Sequence, residues 1–373
     1  MRLKRGLYGL IESARLWYDH LANSLEKLGF TRNSADICVF NRRESDWSLT
    51  TIAVHVDDML ITAVDENKID NLVGELEGFY PGLSVKRGRV FSYVGMTFDF
   101  ESIKGKVKIT MDGYMDEILS EYSTITGVAS TPAGNNLFSV DEKSVLLLNA
   151  EKESFHSLTA KLLYLAKRVR PDILVAISFL SKRVLQPTEQ DKRKLERVVQ
   201  YLRGTKEMGI ILDIGKNISI LAYIDSSFGV HKDMRSHTGV VIGVGLGPVY
   251  AKSSGQKLNT KSSTEAELVG LSDSSNQVIW TRNFLINQGY DMGPATIYQD
   301  NMSTIAMLKN GGSNSSRTRH IAIRYFFVSD RVKSGEIKIE YMATGEMLAD
   351  ILNRPLQGQL FVKLRNKLLN WCD

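Results

Sequence analysis

Ile218-Ser-Ile-Leu-Ala-Tyr-Ile-Asp225-Ser-Ser-Phe228 reads as a buried strand. Apolar or β-branched residues fall on both alternating faces, and Ser-Ser-Phe-Gly breaks the run. The run delivers one carboxylate, Asp225, at its C-terminal end. Three later acids have settings that converge on it: Glu267 in a predicted helix, Asp300 ending a second strand, and Asp350 entering a final helix. Four acids around one point repel unless divalent cations neutralise them, so the use of such a quartet is to hold two hard ions on oxygen ligands. Each acid also has an ordinary explanation, since Asp is common in strand-end turns and Asp300 is placed to cap the helix behind it. Only the combination is informative.

Working outward, Gly239–Val244 and Val249–Ser253 flank a Gly245-Leu-Gly-Pro248 turn and predict a hairpin. A long helix is predicted over Thr264–Gln288. Its opening, Lys261-Ser-Ser-Thr-Glu-Ala-Glu267-Leu, satisfies the capping-box spacing twice, as Ser262 with Glu265 and as Thr264 with Glu267. Helical periodicity separates the two glutamates. Glu267 shares a face with Gly270, Leu271, Ser274 and Val278, whereas Glu265 heads a face that turns polar at Ser272, Asp273 and Asn276. Glu267 is therefore assigned inward. Ala295–Asp300 is a short strand, Asn301–Lys309 a helix, Glu336–Met342 an alternating strand, and the segment from Thr344 begins the last helix.

Upstream, Leu16, Trp17, Leu21, Leu25 and Leu28 space an amphipathic helix closed by Gly29. Phe30–Phe40 and Thr50–Ala63 look extended around a polar turn at Asn41–Trp47, and the second carries Asp57-Asp58 at a hairpin tip between apolar residues. Paired acids there suit either a plain type I′ turn or a metal-binding one. A short hairpin over Gly95–Phe100 and Lys106–Thr110 and a helix near Met115–Tyr122 precede a linker, Ala129–Asp141. Residues 151–207 are helical and basic. Between Lys161 and Lys206 twelve Lys and Arg face four Asp and Glu, an excess larger than the whole-chain net charge of +5. With Tyr164, Phe179 and Tyr201 interleaved, and Lys192, Arg193, Lys194 and Arg197 at its densest part, the stretch reads as a track for nucleic-acid phosphates or as a solvated helix face.

A length of 373 residues, 43% hydrophobic and 24% charged, fits a globular protein of two or three domains. Two cysteines, Cys38 and Cys372, make neither a disulfide framework nor a metal spacing. No apolar run approaches a membrane span and Met-Arg-Leu-Lys-Arg lacks a signal-peptide core, so the expectation is a cytoplasmic or nuclear protein with no membrane partner. Oligomeric state is not legible.

Leu3-Lys-Arg-Gly-Leu-Tyr-Gly-Leu10, Ala14-Arg-Leu-Trp-Tyr18 and Val54-His-Val-Asp-Asp-Met-Leu60 resemble the reverse transcriptase of copia-type retrotransposons. The resemblance implies that the first stretch lies in the palm and that Asp57 and Asp58 are palm carboxylates for the polymerase metals. His55 stands where the family usually has Tyr. The family's first palm motif, with the other metal-binding Asp, lies upstream of Leu-Tyr-Gly-Leu, so a truncated palm without templated synthesis of its own is expected. Leu162-Leu-Tyr-Leu-Ala166, Arg170-Pro-Asp172 and Tyr201-Leu-Arg-Gly-Thr205 resemble the connection segment of copia elements. Tyr223-Ile-Asp-Ser-Ser, Ser263-Thr-Glu-Ala-Glu-Leu, Gln299-Asp-Asn and Leu348-Ala-Asp-Ile-Leu resemble their RNase H motifs. Arg317-Thr-Arg-His320 opens a family segment with an acid and a second His downstream, where Ala322 and Phe326 stand here, and His320 is assigned a packing or phosphate-contact role.

The implied architecture is α/β: a truncated reverse-transcriptase palm and thumb over 1–130, a linker and basic helical connection over 131–215, and an RNase H-like mixed five-stranded sheet with flanking helices over 216–373. The implied function is metal-dependent cleavage of the RNA strand of an RNA–DNA hybrid, with Asp225, Glu267, Asp300 and Asp350 holding two Mg²⁺ ions, or Mn²⁺ in their place. The alternative is a non-catalytic nucleic-acid-binding remnant of a degenerate element. Integrases share the fold but use three acids and a zinc module, and no Cys/His cluster is present.

Overall fold

The helix read from Leu16 to Leu28 is α1, Ile11–Lys27, which turns Leu21, Ala22 and Leu25 onto an antiparallel sheet. That sheet is β1 (Thr31–Arg32), β2 (Val39–Arg43), β3 (Leu49–His55) and β4 (Asp58–Thr62), in that order. The extended run expected from Phe30 to Phe40 is interrupted. Asn33 Oδ1 accepts from the amides of Ala35 and Asp36, and Asp36 accepts from Cys38, so local side-chain bonds turn the chain between β1 and β2. The polar turn also shifts, because β2 continues through Arg43 and reverses over residues 44–48. A helix the pattern reading passed over, α2 (Glu66–Glu77), starts at Asp65, whose side chain accepts from the Lys68 amide. It adds Leu72 and Leu76 to a core with Phe30, Phe40, Ile52 and Val54.

This computed structural model describes residues 9–309 and 319–372. The chain divides into two compact units, Met1–Val94 with Asn283–Asp291, and Gly95–Arg282 with Met292–Asp373. Past β5 (Val90–Tyr93), the second unit opens with β6 (Met96–Asp99), β7 (Val107–Thr110) and α3 (Asp112–Glu121). After the linker come α4 (Asn149–Arg168), α5 (Leu174–Ser181) and α6 (Glu189–Gly204), the last started by a Thr188/Asp191 capping box. A strand the sequence did not reveal, β8 (Ile210–Leu212), returns to pair antiparallel with β7. Three apolar residues are too few for a periodicity to show.

The rest is β9 (Ile220–Ser227), β10 (His237–Val244), β11 (Pro248–Gly255), α7 (Ser263–Asn287), β12 (Ala295–Gln299), α8 (Met302–Lys309), α9 (Arg319–Lys333), β13 (Ile337–Tyr341), α10 (Asp350–Asn353) and α11 (Gly358–Leu369). The sheet order is β11-β10-β9-β12-β13, antiparallel across the first three strands and parallel from β9 through β12 to β13. This is the mixed five-stranded, RNase H-like sheet with flanking helices that the motifs implied. The single last helix expected from Thr344 is instead a 3₁₀ turn at Thr344–Glu346 followed by α10 and α11. Arg354, preceding Pro355, is extended at φ −149° and ψ 152°, as the proline ring requires of its predecessor.

Packing does not follow the boundaries expected at 130 and 215. One hydrophobic cluster joins Met115 and Leu137 to Leu162, Ile177, Tyr201, Leu352, Phe361 and Leu368, with the Tyr201 and Phe361 rings edge to face at 5.7 Å. At its centre Arg170 and Asp172 are both 0% exposed. Arg170 Nε and Nη2 donate to Asp172 at 3.0 and 2.8 Å, Tyr201 donates to Asp172 at 2.6 Å, and Arg170 also reaches Thr205. Among the described residues no helix is long and apolar enough to cross a membrane.

Candidate metal centre

Asp225 lies on β9 opposite Gly239 of β10. A Cβ at Gly239 would stand 2.4 Å from the Ala349 carbonyl and 2.9 Å from Leu352 Cβ, so only glycine lets the segment bearing Asp350 come down on the sheet there. Gly270 serves the other side. Its missing Cβ would lie 2.3 Å from Ser226 Oγ, and the close approach brings Glu267, one turn earlier on α7, against β9. The parallel pairing of Tyr298 with Tyr223 puts Asp300 level with Asp225. Asp225, Glu267 and Asp300 each offer an oxygen, all within 4.8 Å of one another. Asp350 is 1% exposed, and its carboxyl is within hydrogen-bonding reach of Asp225. The capping ambiguity at α7 resolves in space. Glu265 is half-buried and accepts from the Lys261 amide while its own amide donates to Ser262, whereas Glu267 is 4% exposed and faces the sheet.

Asp225 and Glu267 are buried, Asp300 is half-buried, and crowding of the three raises the affinity of each for its proton. Burial, then the charges of Asp225 and Asp300, pushes Glu267 up to about 10. Burial, then Asp350, pushes Asp225 up to about 6, and burial with the Asp225 charge raises Asp300. Residues to which the sequence reading gave no role orient the carboxylates. Asn353 Nδ2 donates to Asp225 Oδ2 and its Oδ1 accepts from Ser227 at 3.0 Å. Gln299 Nε2 donates to Glu267 at 3.3 Å while its Oε1 accepts from the Asp300 and Asn301 amides. The Ser226 amide donates to Glu267 and Thr344 donates to Asp300 at 2.8 Å. Arg354 Nη2 donates to Asp350 Oδ2. The signal for Arg354 was readable as an Asp–Arg pair at i, i+4, and that for Gln299 as a polar residue closing an apolar strand. Hard oxygen donors that converge, are buried, and leave the Asp350 Oδ1 atom without a partner fit a divalent cation.

The hairpin acids are placed differently. Asp57 and Asp58 are exposed, with Asp58 opposite His55 in the β3–β4 register. Val56 takes φ +56°, a left-handed conformation uncommon for a β-branched residue, and Trp17 Nε1 holds its carbonyl at 3.0 Å. The side chain of His320 lies outside the described residues. Phe326 is exposed on α9.

Residues 1–133 match the family model described as "Reverse transcriptase (RNA-dependent DNA polymerase)". Over 371 residues the chain is 30% identical to "Retrovirus-related Pol polyprotein from transposon RE1" of Arabidopsis thaliana, covering 98% of this chain and 25% of that protein. It is 28% identical over 371 residues to the corresponding polyprotein of transposon TNT 1-94 of Nicotiana tabacum, covering 96% and 27%. The chain is a homologue of copia-type Pol polyproteins. It spans about a quarter of the length of these relatives. A solved structure of LC11-RNase H1 isolated from compost is 15% identical, with a TM-score of 0.29, covering 36% of this chain and 93% of that one.

In this Pol homologue the basic stretch is largely committed internally. Arg170 is buried with Asp172, Lys161 pairs with Glu117 and Glu121, and Lys206 pairs with Asp116 at 2.6 Å. Lys192 pairs with Glu151 at 2.7 Å, Lys194 donates to the Ser139 carbonyl at 2.6 Å, and Arg197 donates to Thr131. Three of the four expected phosphate ligands thus tie α4 and the linker to α6, while Arg193 is exposed and bonds only the Glu189 carbonyl. The charge excess between Lys161 and Lys206 overstated the free charge because, Asp172 apart, the partners of these cations lie outside that stretch.

Proposed function

We propose that the residues around Asp225 form a ribonuclease centre that cleaves the RNA strand of an RNA–DNA hybrid with two divalent ions, Mg²⁺ or Mn²⁺. The convergence of Asp225, Glu267 and Asp300, with Asp350 beside them, carries the reading. When bound, the ions activate a water for in-line attack and offset charge on the leaving 3′ oxygen. The protein's own part is orientation. Asn353 and Gln299 fix two carboxylates so that their oxygens point at one space, and Glu267 carries its proton at neutral pH until the site is loaded. Hybrid is told from duplex DNA by contacts to 2′-hydroxyls across the wide minor groove. Asp57 and Asp58 are assigned separately, as palm carboxylates of the reverse-transcriptase part.

A labelled-hybrid assay on the full chain tests this, with wild type, Asp225→Asn, Glu267→Gln and Glu265→Gln compared in Mg²⁺ and Mn²⁺. Cleavage is expected from wild type and Glu265→Gln only. A folded, metal-supplied wild type that binds hybrid without cutting it would overturn the enzyme reading in favour of a binding remnant. Loss with Glu265→Gln but not Glu267→Gln would reverse the choice of glutamate.

A further inference from the structure

The four acids are not equivalent. Asp225, Glu267 and Asp300 bring oxygens within 4.8 Å of one another, and Asp350 stands outside that group. Its Oδ2 is taken by Arg354, four residues on, and its Oδ1 is buried without a hydrogen-bond partner. A buried carboxylate oxygen that lacks a donor, on a residue 1% exposed, marks a position where a ligand belongs. Arg354 is lightly anchored. Its Nε also lacks a partner, its side chain is 42% exposed, and the residue is extended backbone between α10 and Pro355. Its guanidinium sits within electrostatic reach of Asp225 and Asp300 as well as Asp350. It therefore supplies one positive charge on the side of the centre where Asp350 would help hold a second ion.

We infer that Arg354 is a positioning residue that competes with the second divalent ion for Asp350. The first ion takes Asp225, Glu267 and Asp300. The second binds only as the Arg354 side chain leaves Asp350 for solvent, so the two ions bind with separated affinities. This rests on the metal reading of the centre and goes beyond it, because it makes the occupancy of one site a property of a residue that is not a ligand.

The test counts ions. Mn²⁺ binding to the full chain is followed by the electron paramagnetic resonance of free Mn²⁺ and by titration calorimetry, with thermal melts to check folding. Wild type should show two steps separated by roughly tenfold or more, the weight of one charge-assisted hydrogen bond. Arg354→Gln should tighten the second step towards the first. Asp350→Asn, which does not depend on the arginine variant folding, should remove the second step and leave the first. The inference is overturned if Arg354→Gln shows the wild-type isotherm, or if Asp350→Asn weakens both steps equally. No ion bound by any folded form removes the metal reading itself and the inference with it, whereas ion binding that ignores Arg354 removes the inference alone.

Discussion

Asp172 and Asp225 are both buried in the same unit, and the fold treats their charges in opposite ways. Asp172 receives two nitrogens of Arg170 and the Tyr201 hydroxyl, so its charge is balanced by the chain. Asp225 receives one amide from Asn353 and otherwise faces Glu267, Asp300 and Asp350. The first arrangement is complete without any visitor, while the second becomes favourable only when a cation arrives. Asp57 and Asp58 are a third case, acids whose charge water accommodates. Burial with less internal counter-charge than the acids carry, more than the number of acids, sets the candidate centre apart.

The contrast breaks most sharply on catalysis. Asp225→Asn should lower hybrid cleavage by roughly 10³-fold or more while leaving metal-free stability unchanged or raised, because it removes like-charge repulsion. Asp57→Asn with Asp58→Asn should leave hybrid cleavage intact. Cleavage rates and urea midpoints on the same preparations check both halves. Asp172→Asn should do the reverse, costing about 3–5 kcal/mol of stability by stranding Arg170 in the core. If it unfolds no more easily than Asp225→Asn, the distinction between the two acids fails.

Smaller but more specific is the pH response of the metal-free chain. Glu267 binds its proton more tightly when folded, at about 10 against an ordinary 4.5, and Asp225 does so at about 6 against 3.8. Their contribution is therefore complete below the ordinary values and is lost as pH rises, through about 6 for Asp225 and towards 10 for Glu267. Urea midpoints should fall across that window, more gently in Glu267→Gln and in saturating Mg²⁺. A wild-type midpoint that rises over the same range would contradict the burial argument. The smallest effect concerns the phosphate track, which we propose survives at Arg193. Arg193→Glu should weaken hybrid binding and reduce the slope of log affinity against log salt by about 0.9 for each phosphate that Arg193 neutralises. An unchanged slope removes Arg193 from the track.

Much of this was legible in the sequence where a local rule and a motif agreed. The strand carrying Asp225, the inward face of α7 and the strand ending before Asp300 follow from apolar patterning and helical periodicity, while the sheet they build was implied by the family resemblance. What escaped depended on burial and on distant partners. Arg170-Pro-Asp172 does not disclose that its ion pair is fully buried, and no pattern near Lys194 discloses that the Ser139 carbonyl occupies it, so a window of charge read as surface proved to be partly core and partly lacing. Gln299 and Asn353 escaped because an amide beside an acid has many uses until the other acid is seen across from it. The break at Pro355 was readable and was passed over in favour of one continuous helix.

The helices that close the larger unit give the chain an order of assembly. Phe361 and Leu368 complete the packing around Tyr201, and Asp350 completes the acid quartet from the segment pressed over Gly239. A ribosome makes the connection helices, the sheet and three of the acids first, and these wait with an open apolar surface until α10 and α11 emerge. Contacts this far apart in sequence form late and slowly, leaving an unfinished chain prone to association. A stop or frameshift anywhere before Asp350 therefore removes the fourth acid and unseals the core in one event. Translation to that point acts as a safety catch: a chain stopped earlier lacks both the fourth acid and the seal on the core.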